Sequence, residues 1–160
     1  MTVALWRIAT DTRDYTADDL TGEGAKRSGG RWNRPGLPVV YAASNIALAC
    51  LETIVHLSGG DLPLNRYLVR VDVPNELWQG ARALSAKTAP VGWDAIPAGK
   101  VSLDLGGRWL AEHDAPALLC VPSVIVPEEV NVLINPVHPE AQHIKATKLR
   151  RWNYDARVWA

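Results

Sequence analysis

The cleanest periodicity in the chain lies between Arg66 and Val73, where Tyr67, Val69, Val71 and Val73 alternate with Arg66, Arg70 and Asp72. Successive side chains of a strand point to opposite faces, so this pattern predicts a strand with one buried and one polar face. Leu5 to Ala9 reads as an earlier, shorter strand, and Val39 to Ala43 as another, with Val39, Tyr41 and Ala43 on one side. The period then lengthens. From about Asn45 to Leu57 the apolar positions Leu48, Leu51 and Val55 share one side of a helix, because each residue advances about 100°. Ser44 is its expected N-cap and Gly59-Gly60 its expected stop. Asp104 to His113 also reads as helix. Leu118 to Val126 and Asn131 to Ile134 read as strands, the first limited by Pro122 and Pro127. The end, Leu149 to Val158, reads as a strand running into a turn, and the glycine- and charge-rich stretch from Gly22 to Gly36 as an ordered loop. Strands and helices mix without regular βαβ alternation, which predicts an α+β fold in one domain over residues 1–160.

One residue breaks the helix pattern. Glu52 falls on the same side as Leu48, and a carboxylate on a buried face is costly unless it is paired or used. Two structural pairings are open to it, with His56 at i,i+4 or with Arg31. Arg31 follows Gly29-Gly30, which lets backbone approach a ligand, and its guanidinium matches a phosphate in a bidentate fork. Tyr41 offers a ring and a hydroxyl from a strand whose other residues on that face are small or aliphatic. Ser123 is a hydroxyl in an apolar strand, suited to a substrate amide or ribose, or to local backbone. Asn131, Asn135 and His138 belong to a group that reads as a polar turn after a strand, where a structural role is the ordinary one for a histidine.

Composition narrows the function classes. Lysine plus arginine and aspartate plus glutamate balance at 17 each among 160 residues, with 48% apolar content. A protein that holds nucleic acid by counterion release shows a basic excess or stripe. The one cluster, Lys145, Lys148, Arg150 and Arg151, reads as a solvated face, so direct nucleic-acid binding is not expected. No apolar run approaches the ~20 residues of a membrane span, and the first residues lack the pattern of a signal peptide. Cys50 and Cys120 in apolar settings suit free thiols in a reducing cytoplasm. No metal-ligand spacing surrounds any histidine, and neither GxGxxG nor GxxxxGK[ST] occurs.

Taken in order, Leu5-Trp6-Arg7, Gly29-Gly30-Arg31-Trp32-Asn33, Val40-Tyr41-Ala42-Ala43, Ala49-Cys50-Leu51-Glu52, Gly107-Arg108-Trp109-Leu110, Val121-Pro122-Ser123, Asn131 to Pro139 and Arg151 to Arg157 resemble the RES-domain family. The resemblance implies an ADP-ribosyltransferase-like fold, with two packed β-sheets, flanking helices and an NAD cleft between the sheets. It implies the toxin of a bacterial type II toxin–antitoxin pair. Such a toxin consumes NAD as substrate, by hydrolysis or phosphorolysis, or transfers its ADP-ribose to a protein, with no metal. The implied partner is an Xre-like antitoxin that covers the active site, and a homodimer within that complex is compatible with it. By position, Arg31, Tyr41 and Glu52 carry catalysis, while Arg31, Tyr41 and Ser123 bind NAD, Ser123 at the nicotinamide end. A reading from another class is a non-catalytic module that binds ADP-ribose or a nucleotide beside a DNA-binding partner. It would use the same arginine and tyrosine but would not need Glu52 where it stands.

Overall fold

A computed structural model describes residues 1–57 and 63–159. Strands β1 (Thr2–Thr10), β2 (Val40–Ala43), β3 (Arg66–Pro74), β4 (Arg82–Ala83), β5 (Leu118–Pro122), β6 (Val130–Ile134) and β7 (Lys145–Arg151) alternate with helices α1 (Glu23–Ser28), α2 (Ile46–Ile54), α3 (Asn75–Gln79) and α4 (Lys100–Ala111). Two short 3-10 turns follow, at Pro139–His143 and Ala156–Trp159. The α+β expectation holds. Among the described residues, no helix is long and apolar enough to cross a membrane.

The expected pair of sheets is instead one seven-stranded sheet in the order β4-β5-β6-β2-β1-β3-β7. Its two halves meet at a single Cα pairing of β1 with β2, Trp6 opposite Ala43. Elsewhere the ladders are longer; β1 and β3 pair over their full lengths. Where β1 and β2 part, Arg7 reaches across and donates from Nη1 to the Tyr41 carbonyl at 2.6 Å, replacing a ladder bond. Burial pulls the Arg7 guanidinium down to about 10, against the opposing charge of Asp19, so it stays charged at neutral pH.

The alternation read from Arg66 to Val73 sets the layers. Val69, Val71 and Val73 are fully buried and pack with Leu5, Val40, Ala42, Leu118, Val132 and Ile134 under one face of the sheet. The other face carries two separate apolar clusters. One joins Leu119, Val121 and Leu133 to Trp32, Trp93 and Trp109, bringing in α4. The second joins Ile8, Ala43 and Leu68 to Leu48, Ala49 and Tyr154, bringing in α2. β5 is buried along its whole length because both of its faces are covered, hence its unbroken apolar run.

Several boundaries differ from the sequence reading. The 22–36 stretch contains the short helix α1, which is too brief to show a helical period. Leu118 to Val126 ends as a strand at Pro122. The last strand lies earlier than Leu149–Val158 and pairs with β3 at the sheet edge. Its basic residues belong to that edge. Lys148 donates to both carboxylate oxygens of Asp11 at 2.8 Å and lies over the Tyr67 ring, while Lys145, Arg150 and Arg151 face solvent, where cations oppose pairing with another strand. Both cysteines are free, with Cys120 buried and Cys50 half-buried.

Candidate active site

The polar groups singled out in the sequence gather on the sheet face that carries two clusters, along the seam between them. Asn131 of β6 lies opposite Ala43 of β2 on one side and Val121 of β5 on the other. Tyr41 is two residues before Ala43, and Ser123 follows directly on β5.

Helix α2 brings Glu52 to this seam. Its N-cap is Asn45, not Ser44: the Asn45 Oδ1 accepts the Leu48 N–H at 2.8 Å. The helix ends at Ile54, and the Gly59-Gly60 stop lies outside the described residues. Its buried stripe is Leu48 and Ala49, whereas Leu51 and Val55 are 38% and 57% exposed. The rotation follows from its neighbours. Trp6, Ile8, Leu68 and Tyr154 receive the Leu48–Ala49 side, and the Thr53 hydroxyl shares a 2.7 Å hydrogen bond with the Tyr154 hydroxyl. Glu52 therefore stands at the border of the packed surface, half-buried, with its carboxylate turned toward β5 and β6.

Neither structural pairing considered for Glu52 forms. Its Oε1 accepts two hydrogen bonds, from Ser123 Oγ and Asn131 Nδ2, both at 2.7 Å, and Oε2 takes none among the described residues. Ser123 is fully buried. Its oxygen also accepts the Ile125 and Val126 N–H groups at 3.1 and 3.2 Å. A serine hydroxyl has one proton and two lone pairs, so Ser123 is fully engaged, and its proton points at Glu52. The effect is a carboxylate fixed on one oxygen and open on the other.

Arg31 and Trp32 occupy a tight reverse turn closed by the Gly30 N–H to the Asn33 carbonyl at 2.9 Å. Asn33 organises the turn. Fully buried, it donates from Nδ2 to the Ala25 and Leu37 carbonyls, each at 2.9 Å, and accepts the Tyr41 hydroxyl at 2.6 Å. The Tyr41 oxygen in turn accepts the Trp32 N–H at 3.1 Å. A Cβ on Gly30 would stand 2.7 Å from that oxygen, so the close approach needs glycine there. Burial raises the Tyr41 pKa well above its ordinary value, against the hydrogen bonds and the Arg31 charge, so the phenol keeps its proton. From behind, Ser102 of α4 donates to the Arg31 carbonyl at 2.8 Å.

The Arg31 guanidinium uses Nη1 alone. It donates to the Trp93 and Ala95 carbonyls at 3.1 and 2.7 Å, and Nη2 and Nε have no acceptor among the described residues. Partial burial lowers its pKa, against the charges of Glu52 and Asp94. Arg31, Tyr41, Glu52 and Ser123 are thus brought to one region, as the sequence suggested. The sequence reading gave Asn131 only a place in a polar turn and gave Asn33 and Ser102 no role, although a buried asparagine or serine such as these last two is itself a signal of a required hydrogen bond. His138 belongs elsewhere. Its Nδ1 accepts the Glu140 N–H at the start of the 3-10 turn, and its Nε2 lies 3.1 Å from the Ala115 carbonyl.

The arrangement suits a reaction that develops positive charge on a substrate carrying phosphate. The open carboxylate oxygen can face a cationic centre, and the unengaged side of the guanidinium can take an anion. The chain is similar to known proteins. A relative from Sphingobium sp., "Prs ADP-ribosylating toxin", is 60% identical over 158 residues, 99% of this chain and 98% of its own length. "Toxin Res" of Pseudomonas putida is 40% identical over 143 residues, covering 88% and 90%. In the crystal structure of the M. tuberculosis MbcT-MbcA toxin-antitoxin complex, one chain shares the fold with a TM-score of 0.62 at 17% identity, over 99% of this chain and 87% of that one. The RES domain family model matches residues 4–156, which span the Arg31 turn, the Glu52 helix and both of its hydrogen-bond donors, and the chain belongs to that family.

Proposed function

We propose that this chain is the toxin of a toxin–antitoxin pair, that it cleaves the nicotinamide–ribose bond of NAD, and that it transfers ADP-ribose to a protein acceptor, Prs. The observation that carries the chemistry is the Glu52 carboxylate, tied by Ser123 and Asn131 on one oxygen and open on the other. Breaking the bond from nicotinamide nitrogen to ribose C1′ sends the electron pair to nicotinamide, which leaves neutral. Positive charge spreads over C1′ and the ring oxygen, as in glycoside cleavage. A fixed negative charge beside the ribose stabilises that state. The acceptor's lone pair then bonds to C1′ and its proton is released to water.

The remaining residues divide the binding. Arg31 holds the pyrophosphate with Nη2 and Nε, and Tyr41 lines the pocket while its hydroxyl fixes the Arg31 turn. Ser123 and Asn131 position Glu52. Protein as the acceptor, and Prs in particular, rests on the Sphingobium relative and its name. The antitoxin partner, of Xre type and covering the site, is supported by the family and by the shared fold of a chain from a toxin–antitoxin complex.

Expression without an antitoxin is expected to arrest bacterial growth, with labelled ADP-ribose appearing on Prs and cellular NAD falling. Growth arrest with NAD level and no labelled protein would overturn the enzymatic reading. Free nicotinamide from purified protein and NAD separates it from a non-catalytic ADP-ribose module.

Arg31→Ala is expected to weaken NAD binding by about ten- to a hundredfold, the loss of a charge-assisted phosphate contact worth roughly 1.5–3 kcal/mol. Arg31→Lys restores part, keeping charge without the fork. Titration calorimetry with NAD checks both. An Arg31→Ala protein that binds NAD normally but melts early would reduce Arg31 to an anchor for the Trp93–Ala95 backbone.

A further inference from the structure

We propose that the segment 91–96 is the surface on which the protein acceptor docks, and that it takes an apolar patch of the acceptor bordered by a cation. The proposal rests on the transferase reading above.

The segment is fastened to the proposed active site by the arginine that would hold the substrate's pyrophosphate. Arg31 Nη1 binds the Trp93 and Ala95 carbonyls, so the loop borders the proposed active site. It is also ordered from within. Trp93 is buried and stacks on Trp32 with ring centroids 6.4 Å apart, while the Trp93 and Ala95 N–H groups close back on Pro90 and Gly92. A loop plugged by a tryptophan and tied at two carbonyls could turn its aliphatic side chains inward. Val91 and Ile96 nevertheless stand 97% and 83% exposed. They flank the plug in sequence, one on each side, and a partner that covers them removes both from water.

Asp94, exposed between them, supplies a negative charge to the same segment, which selects a cation on the partner. Reaction geometry says why the partner is the acceptor. A protein nucleophile must come within about 3–3.5 Å of C1′, so the protein bearing it has to rest against the residues that border the site. Water attacking the same carbon needs no such surface.

The test uses Val91→Ser with Ile96→Ser in the full chain, and Val137→Ser as control. Val137 is 74% exposed beyond the end of β6 remote from Asn131. Purified proteins are given NAD labelled on adenine, with and without purified Prs, and three quantities are read: Tm, NAD affinity, and label on Prs. The double variant is expected to keep its Tm and NAD affinity and to label Prs at least tenfold more slowly. The control is expected to match the parent in all three. If the parent labels Prs and the double variant does so at the parent's rate, the docking surface lies elsewhere and the proposal fails, with the transferase reading intact. A double variant whose NAD affinity falls as far as its labelling also overturns it, since the loop would then serve NAD. A parent that releases nicotinamide but leaves Prs unlabelled overturns the choice of acceptor, and the docking surface with it.

Discussion

Glu52→Gln is expected to slow nicotinamide release by about 10²–10³, with NAD affinity almost unchanged. The geometry makes this substitution unusually clean. The bonds from Ser123 and Asn131 both end on Oε1, and a glutamine can present its carbonyl oxygen to the same two donors. Shape and local hydrogen bonding survive, and what is lost is the negative charge on the open side. If that charge matters only as the ribose becomes cationic, the effect belongs to kcat and not to substrate binding. Single-turnover kinetics with NAD, alongside calorimetric affinity, separate the two. The variant should also fold as the parent does and be tolerated by cells without an antitoxin. A Glu52→Gln protein that turns over NAD at the parent's rate would remove the carboxylate from the mechanism, whatever its stability.

Gly106→Ala is expected to destabilise the fold by about 3 kcal/mol or more, a drop of roughly 6–12 °C in Tm for a chain of this size. A Cβ on Gly106 would fall onto the carbonyl oxygen of Trp32 and lie 2.7 Å from its carbonyl carbon. Neither atom is the end of a flexible side chain. Helix α4 would have to lift away from the turn that carries Arg31, and Ser102, one helical turn earlier, would lose its bond to the Arg31 carbonyl. NAD binding should therefore fall with stability. The neighbouring glycine is the internal control. A Cβ on Gly107 meets nothing within 4 Å, so Gly107→Ala gains helix propensity without a clash and should stabilise by about 0.5–1 kcal/mol. Equal effects from the two substitutions would show that backbone entropy, and not the contact with Trp32, sets the cost at position 106.

Residue types and periods carried much of this in advance. The alternation from Arg66 to Val73 named a buried face that the structure keeps, because strand period depends on nothing beyond the strand. Glu52 was legible as an anomaly on a helix, yet the reason given was wrong in part. Leu51 and Val55 suggested the core stripe, whereas the packed side is Leu48 and Ala49. A helix wheel gives relative angles and leaves the absolute rotation open; here Tyr154, far along the chain, fixes it through Thr53. Ser44 and Asn45 are both good caps, and local sequence does not choose between them. Asn131 and Asn33 passed as turn and loop residues, since their worth lies in partners remote in sequence. The same holds for the joining of two expected sheets through one pairing at Trp6 and Ala43, which depends on where β1 and β2 diverge.

The Glu52 carboxylate has a consequence for how the protein is made. Its two donors follow it by 71 and 79 residues in the chain, and the tyrosine that orients its helix is 101 residues from Thr53. A ribosome adding about 5–20 residues per second needs roughly 4–16 s to pass from Glu52 to Asn131. Through that interval the nascent chain holds its acid without the groups that aim it. A message cut short anywhere in this interval yields a fragment with no assembled site. The acid can therefore be aimed only once Asn131 has been made, 79 residues after Glu52 itself.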